Sequence, residues 1–169
     1  MNTSVKIHSL GYAELKTYLF ITLFVAGNLL LPQICHLLPA GGPTLLPIYF
    51  FTLIAAYKYG LKVGLATAVL SPVINHTLFG MPGLAVLPII LIKSGLLAGF
   101  AVLAAKSMKG LTVLSLLLVV LAYQIVGTGI EWIIVKDFFL AVQDFRIGVP
   151  GMLIQVAGGY AVLKMIAKY

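Results

Sequence analysis

Long apolar runs, interrupted by short clusters of glycine, proline and charge, set the pattern of this chain. They divide it into six segments, at about 15–35, 44–59, 61–76, 84–106, 110–135 and 147–167. The runs are continuously apolar and do not alternate, so they predict helices and not the strands of a barrel. The second and third runs are short. Sixteen helical residues cover about 24 Å, less than a hydrocarbon core of about 30 Å. Helices of that length need support from neighbours, or from loops that dip into the protein.

Composition decides what these helices lie in. Of the 169 residues, 62% are hydrophobic and only 9% are charged, against roughly 25% charged in a soluble domain. There is too little polar surface to cover a globule in water. The expectation is an all-α integral membrane protein, one membrane domain over 1–169, with six transmembrane helices. Lys6, His8, Glu14 and Lys16 precede the first run, and no small-residue cleavage signal follows a short apolar core. The first span is therefore expected to stay in the mature protein. One cysteine, Cys35, excludes an internal disulfide.

The net charge of +7 matters here through its distribution, and no nucleic-acid partner is expected. With the N-terminus inside, the inner segments hold Lys6, Lys16, Lys58, Lys62, Lys106, Lys109, Lys164 and Lys168. The outer segments hold Lys136 and Arg146, and Lys93 falls within a span. That asymmetry predicts an even number of spans with both termini cytoplasmic.

Polar residues inside the spans are costly and face a bundle interior or a cavity. Span one carries Asn28, Gln33 and, toward the outside, His36. Span three ends with Ser71, Asn75 and His76. Lys93 lies about nine residues into span four, about 13 Å deep. Span five carries Gln124, Thr128 and Glu131 at i, i+4 and i+7, hence on one helical face, followed by Trp132, and span six carries Gln155. Nearly all lie in the outer half, which predicts a polar pocket open to the outside rather than a pore through both halves. Plainer roles stand beside this reading. Lys93 can snorkel or pair with Glu131, Glu131 can pair with Lys136, and Trp132 can anchor at the interface. His36 and His76 lack ligand spacing, and no metal site or cofactor is expected. Small residues form a second pattern, at Gly60, Gly64 and Ala68, at Ala98, Gly99, Ala101 and Ala105, and at Thr22, Ala26 and Gly27. They suit close helix packing or the docking of another membrane subunit.

The outer loops are uncharged, stiffened by Pro39, Pro43, Pro72 and Pro82 and turned by Gly41, Gly42, Gly80 and Gly83. The stretches "GGPTLLPIYFFTLIAAYKYGLKVGLATAVLSPVINHTLFGMPG" (41–83) and "LPIILIKSGLLAGFAVLAAK" (87–106) resemble the substrate-binding S components of energy-coupling factor (ECF) transporters. The likeness extends over the whole chain in span count, length, orientation and basic inner loops. The resemblance implies a six-helix S-component bundle in a bacterial-type cytoplasmic membrane, holding a vitamin or related micronutrient in an outward-facing pocket. It implies docking on a transmembrane coupling protein with two cytoplasmic ATPase subunits. The chain itself is then not an enzyme, consistent with its lack of a phosphate-binding glycine loop. Carried over, the substrate site would draw on Asn75, His76, Lys93, Glu131, Trp132 and Gln155, with Gln33 and His36 near the first lid loop. The 71–83 stretch would form a second lid and pocket edge. The docking face would be span one. Thr22 and Ala26 are the nearest match there to the family's alanines spaced by four. Lys93 suggests an anionic substrate group, Glu131 a cationic or donor group, and Trp132 a stacked ring.

Two other classes fit parts of the pattern. A small proton-coupled secondary transporter could work through Glu131 alone. A non-transport membrane scaffold would use the polar residues for packing only.

Overall fold

The computed structural model describes residues 11, 13–108 and 110–167. Lys6, His8, Lys109 and Lys168 lie outside the described residues. The described chain is helical throughout, in the order α1 (Leu15–Cys35), α2 (Gly41–Leu45), a 3-10 turn (Pro47–Tyr49), α3 (Phe50–Tyr59), α4 (Leu61–Phe79), α5 (Leu87–Ser107), α6 (Val113–Val135), α7 (Phe138–Ala141), α8 (Gln143–Ile147) and α9 (Val149–Ile166). Four of these, α1, α5, α6 and α9, are long and apolar enough to cross a membrane. Helix α4 has the length, at 19 residues, but Lys62, Asn75 and His76 lower its hydropathy. The segment expected at 44–59 is not one helix. It takes in the end of α2, the 3-10 turn and α3, which has 10 residues.

The break has a local cause. Pro43 and Pro47 lack the N–H that a continuing helix needs, and Leu46 between them takes a left-handed conformation with φ of 47°. A leucine in that region is a steric outlier held by its surroundings. Those surroundings are the start of α9. Gly151 has no room for a side chain because the backbone of Leu45 and Leu46 presses on it, and a methyl on Gly148 would come within 2.9 Å of Leu46 Cδ1. The non-helical backbone here is thus covered by protein.

Long helices surround α3. Leu53, Ile54, Ala55 and Ala56 are fully buried and Tyr57 nearly so. Helices α1, α4, α5 and α9 pack around it. The α3–α4 joint is one residue, Gly60, at φ 86°, a backbone that favours glycine. It folds α4 back so tightly that a methyl on Gly64 would lie 2.5 Å from Ala56 Cβ. Ala68, Ala98 and Ala101 are also fully buried. These small residues therefore serve internal packing. Thr22 and Ala26, in contrast, are exposed on α1, among Leu15, Leu19, Leu23 and Leu30.

Contacts along the helices fix their directions. Phe20 of α1 stacks on Tyr59 at the end of α3. Gln33 near the end of α1 meets Asn75 near the end of α4. The Tyr57 and Ser115 hydroxyls lie 3.3 Å apart where α3 ends and α6 begins. The Lys58 ammonium donates to the Ala167 carbonyl just past α9, at 3.5 Å. Helices α1, α3, α4, α5, α6 and α9 accordingly alternate in direction, and the start of α1 lies at the same end of the bundle as the finish of α9. Lys16, Lys58, Lys62, Lys106 and Lys164 gather toward that end by their helix positions, while Lys136 and Arg146 lie at the other. Side chains that face outward are as apolar as the core, including Leu103, Ile125, Ile133 and Leu153. A surface of this kind suits lipid and not water.

Candidate ligand-binding site

The polar side chains of the spans do not share one pocket. They divide into separate groups, each with its own chemistry.

The first group is centred on Asn28, fully buried in the middle of α1. Its amide nitrogen donates to Thr52 Oγ1 at 3.0 Å and to Ser71 Oγ at 3.1 Å. Its carbonyl oxygen accepts the Phe51 N–H at 3.1 Å. One side chain thereby ties α1 to α3 and α4. A turn and a half further along, the Gln33 amide donates to Asn75 Oδ1 at 3.1 Å. These groups satisfy one another and act as interhelical ties.

The second group lies between α5, α6, α8 and α9. Lys93 is only 2% exposed, although a lysine is rarely buried without charge partners. It has two. Its ammonium stands 2.6 Å from Glu131 Oε2 on α6 and 2.8 Å from Asp144 Oδ2 on α8. The Asp144 contact is a hydrogen bond donated by the ammonium, whereas Glu131 meets it as an ion pair without hydrogen-bond geometry. Gly127 opens the path for the lysine stem, since a methyl there would lie 2.7 Å from Lys93 Cγ. Glu131 and Asp144 keep 12% and 15% of their side-chain exposure, so the rim of this group reaches the surface.

A chain of hydrogen bonds continues inward from it. Gln124 Nε2 donates to the Tyr123 hydroxyl at 3.0 Å, and that hydroxyl donates to Gln155 Oε1 on α9 at 2.9 Å. The Tyr49 ring packs on Tyr123 with centroids 5.5 Å apart. Yet five buried polar atoms among the described residues have no hydrogen-bond partner: Glu131 Oε2, which is ion-paired, and Ser94 Oγ, Gln124 Oε1, Thr128 Oγ1 and Gln155 Nε2. Ser94 follows Lys93 on α5 but points about 100° away round the helix. Thr128 stands one turn before Glu131 on the same face of α6, and Gln124 one turn before Thr128. An unpartnered buried polar group costs about 1–3 kcal/mol. A cluster of them beside a buried charge marks a place where something else binds.

The cavity beside Gln155 is small. A cavity of about 80 Å³ lies between Leu31, Cys35, Leu45, Pro47, Phe50, Ile154 and Gln155, well below the roughly 300 Å³ of a typical small-molecule site. A larger groove of about 400 Å³ runs along the outer face of α5 from Leu91 to Leu103, but it is apolar and lies away from the charges.

The residues picked out from sequence separate accordingly. Lys93, Glu131 and Gln155 belong to the second group. Gln33 and Asn75 form a tie elsewhere. His76 lies at the foot of the 80–86 loop with its ring Nδ1 2.8 Å from the Pro82 carbonyl oxygen. His36 is exposed, its ring against Gly42. Trp132 is 51% exposed and packs edge-on against Phe138, turned away from Glu131. The 71–83 stretch is mostly helix, because α4 continues through Pro72 to Phe79 with the proline buried on its inner face. Only its last residues form a loop.

Asp144 was not anticipated. The signal available was that a lysine at this depth needs strong compensation, and the chain has only 4 acidic residues from which to supply it. Lys136, the partner considered for Glu131, is exposed at the C-terminal cap of α6. Comparison with family models, with curated proteins and with solved structures finds no match to this chain.

Proposed function

We propose that this chain is a membrane-embedded substrate-binding subunit of an ATP-driven importer of the ECF kind, capturing a vitamin or related micronutrient. Lys93, Glu131, Asp144 and Gln155 hold the ligand from α5, α6, α8 and α9. The observation that carries this reading is the set of three unpartnered buried polar atoms, on Gln124, Thr128 and Gln155, on the inner side of the doubly paired Lys93. Among the described residues these gather where α6 meets α9, and a ligand supplies the partners they lack.

In this reading six helical passes cross a bacterial-type cytoplasmic membrane, with the lysine-rich end inside. The charge asymmetry between the two ends supports that orientation. The ligand enters from the end where Glu131 and Asp144 keep some exposure. The short helix α3 is tolerated because it is covered by other helices. The left-handed segment around Leu46, seated on Gly148 and Gly151, closes over the Gln155 side and shifts to admit a molecule larger than the present cavity. The exposed α1 face with Thr22 and Ala26 serves docking on a transmembrane coupling protein, whose two ATPase subunits supply the energy.

The test is to express the chain alone, purify it in mild detergent, denature it and identify any released small molecule by mass spectrometry. A stoichiometric micronutrient, absent from a Glu131→Gln preparation, is the expected result. A protein that is empty and is not stabilised by any member of a vitamin panel would falsify the proposal and favour the scaffold. Uptake that persists without ATPase subunits and vanishes in Glu131→Gln would instead identify a proton-coupled transporter.

A further inference from the structure

We infer that the molecule bound at the Lys93 cluster is a small cation bearing N–H donors. This rests on the reading of the cluster as a ligand site and adds the chemical class of the ligand. Lys93 alone would call for an anion, but its charge is already matched. Two carboxylates lie within 2.6 and 2.8 Å of its ammonium, and one suffices to neutralise it. With all three ionised the group carries one net negative charge. The other charged side chains at this end are Lys136, Asp137 and Arg146, all exposed to the surroundings, where their influence is weak. The excess charge, on the two rim carboxylates, therefore calls for a positive partner.

The unpartnered atoms specify the rest. Gln124 Oε1 can only accept a hydrogen bond, and the Thr128 hydroxyl oxygen can accept as well as donate. Gln155 Nε2 can only donate. A ligand that fits gives several N–H bonds and takes one, as a protonated amine or amino-substituted heteroaromatic ring does. A bare metal ion fits less well, because the Lys93 ammonium occupies the space between the two carboxylates that it would need.

The experiment uses the full chain in detergent, with titration calorimetry and thermal unfolding against probes sorted by charge. The cations are thiamine, pyridoxamine and putrescine, the neutral probes pyridoxine and riboflavin, and the anions pyridoxic acid, nicotinate and biotin. The charge of any co-purified molecule is read alongside. The expected result is saturable one-to-one binding of a cationic member, weakened at least about tenfold by Asp144→Asn through loss of the nearby charge. Thr128→Val, which removes an unpartnered hydroxyl without changing charge, should weaken it about fivefold while leaving the melting temperature of the empty protein unchanged. That variant keeps the test open if Asp144→Asn does not fold. A neutral or anionic molecule as the tight binder overturns this inference and leaves the binding-subunit reading standing. So does cation binding that is indifferent to both substitutions. Absence of binding by every probe, with nothing co-purified, overturns both.

Discussion

Asn28 and Lys93 are both buried polar side chains on helices of one bundle, yet their surroundings are opposite. Asn28 uses both amide hydrogens and its carbonyl oxygen, and each bond reaches a different residue. Lys93 is held by more negative charge than it needs, and Gln124, Thr128 and Gln155 on the inner side of its group each leave an atom idle. Polarity inside an apolar bundle therefore does not by itself indicate function. A closed set of partners fastens helices together. An open set retains free energy that a ligand can recover on binding.

The contrast can be broken by substitution, and the largest effect is expected at the charge. Lys93→Ala leaves two carboxylates facing each other without their cation and should cost about 3–5 kcal/mol, read as a large fall in the unfolding temperature in detergent. A fall of only a degree or two would mean that the ion pairs contribute little. Asn28→Ala strands Thr52, Ser71 and the Phe51 N–H together, and about 3 kcal/mol should be lost. Ligand affinity per folded molecule should hardly change, and a selective loss of affinity would place Asn28 in the binding site instead. Gly127→Ala pushes a methyl against the lysine stem, at an overpacking cost of about 1–3 kcal/mol. It should move the ammonium and weaken ligand binding with no change in charge. Smallest is Thr128→Val in the empty protein. The hydroxyl it removes has no partner, so stability should stay within about 0.5 kcal/mol or rise. A loss as large as that of Asn28→Ala would show that the hydroxyl is bonded after all and that the two regions do not differ.

Much of this architecture could be read from the chain because hydropathy and turn chemistry act locally. The run 15–35 coincides with α1, and the long runs 84–106 and 110–135 carry α5 and α6, which begin three residues later than those runs. Leu46 was not legible. Nothing in its own identity favours a left-handed backbone, which is imposed by the fit of Leu45 and Leu46 against Gly148 and Gly151, a hundred residues away in the chain. Asp144 was hidden for the same reason, since its bond to Lys93 spans 51 positions. Trp132 shows a third limit. Helix α6 is apolar on nearly every side, so periodicity does not distinguish its lipid face from its inner face. Glu131 turns inward while the next residue turns out. The i, i+4, i+7 spacing of Gln124, Thr128 and Glu131 did place these residues on one face. It did not show which of their atoms would lack partners.

The enclosure of α3 bears on how the protein is made. Ten helical residues extend about 15 Å, half the thickness of the hydrocarbon layer. A segment of that length is too short to cross such a layer by itself. Its cover comes from α1, which precedes it, and from α4, α5 and α9, which follow. The last of these is joined to α3 by the bond from Lys58 to the carbonyl of Ala167, near the end of the chain. Biogenesis is consequently not a sequence of independent insertions. The centre of the bundle is completed only after α9 has been made, and a ribosome that stalls before it leaves that centre uncovered.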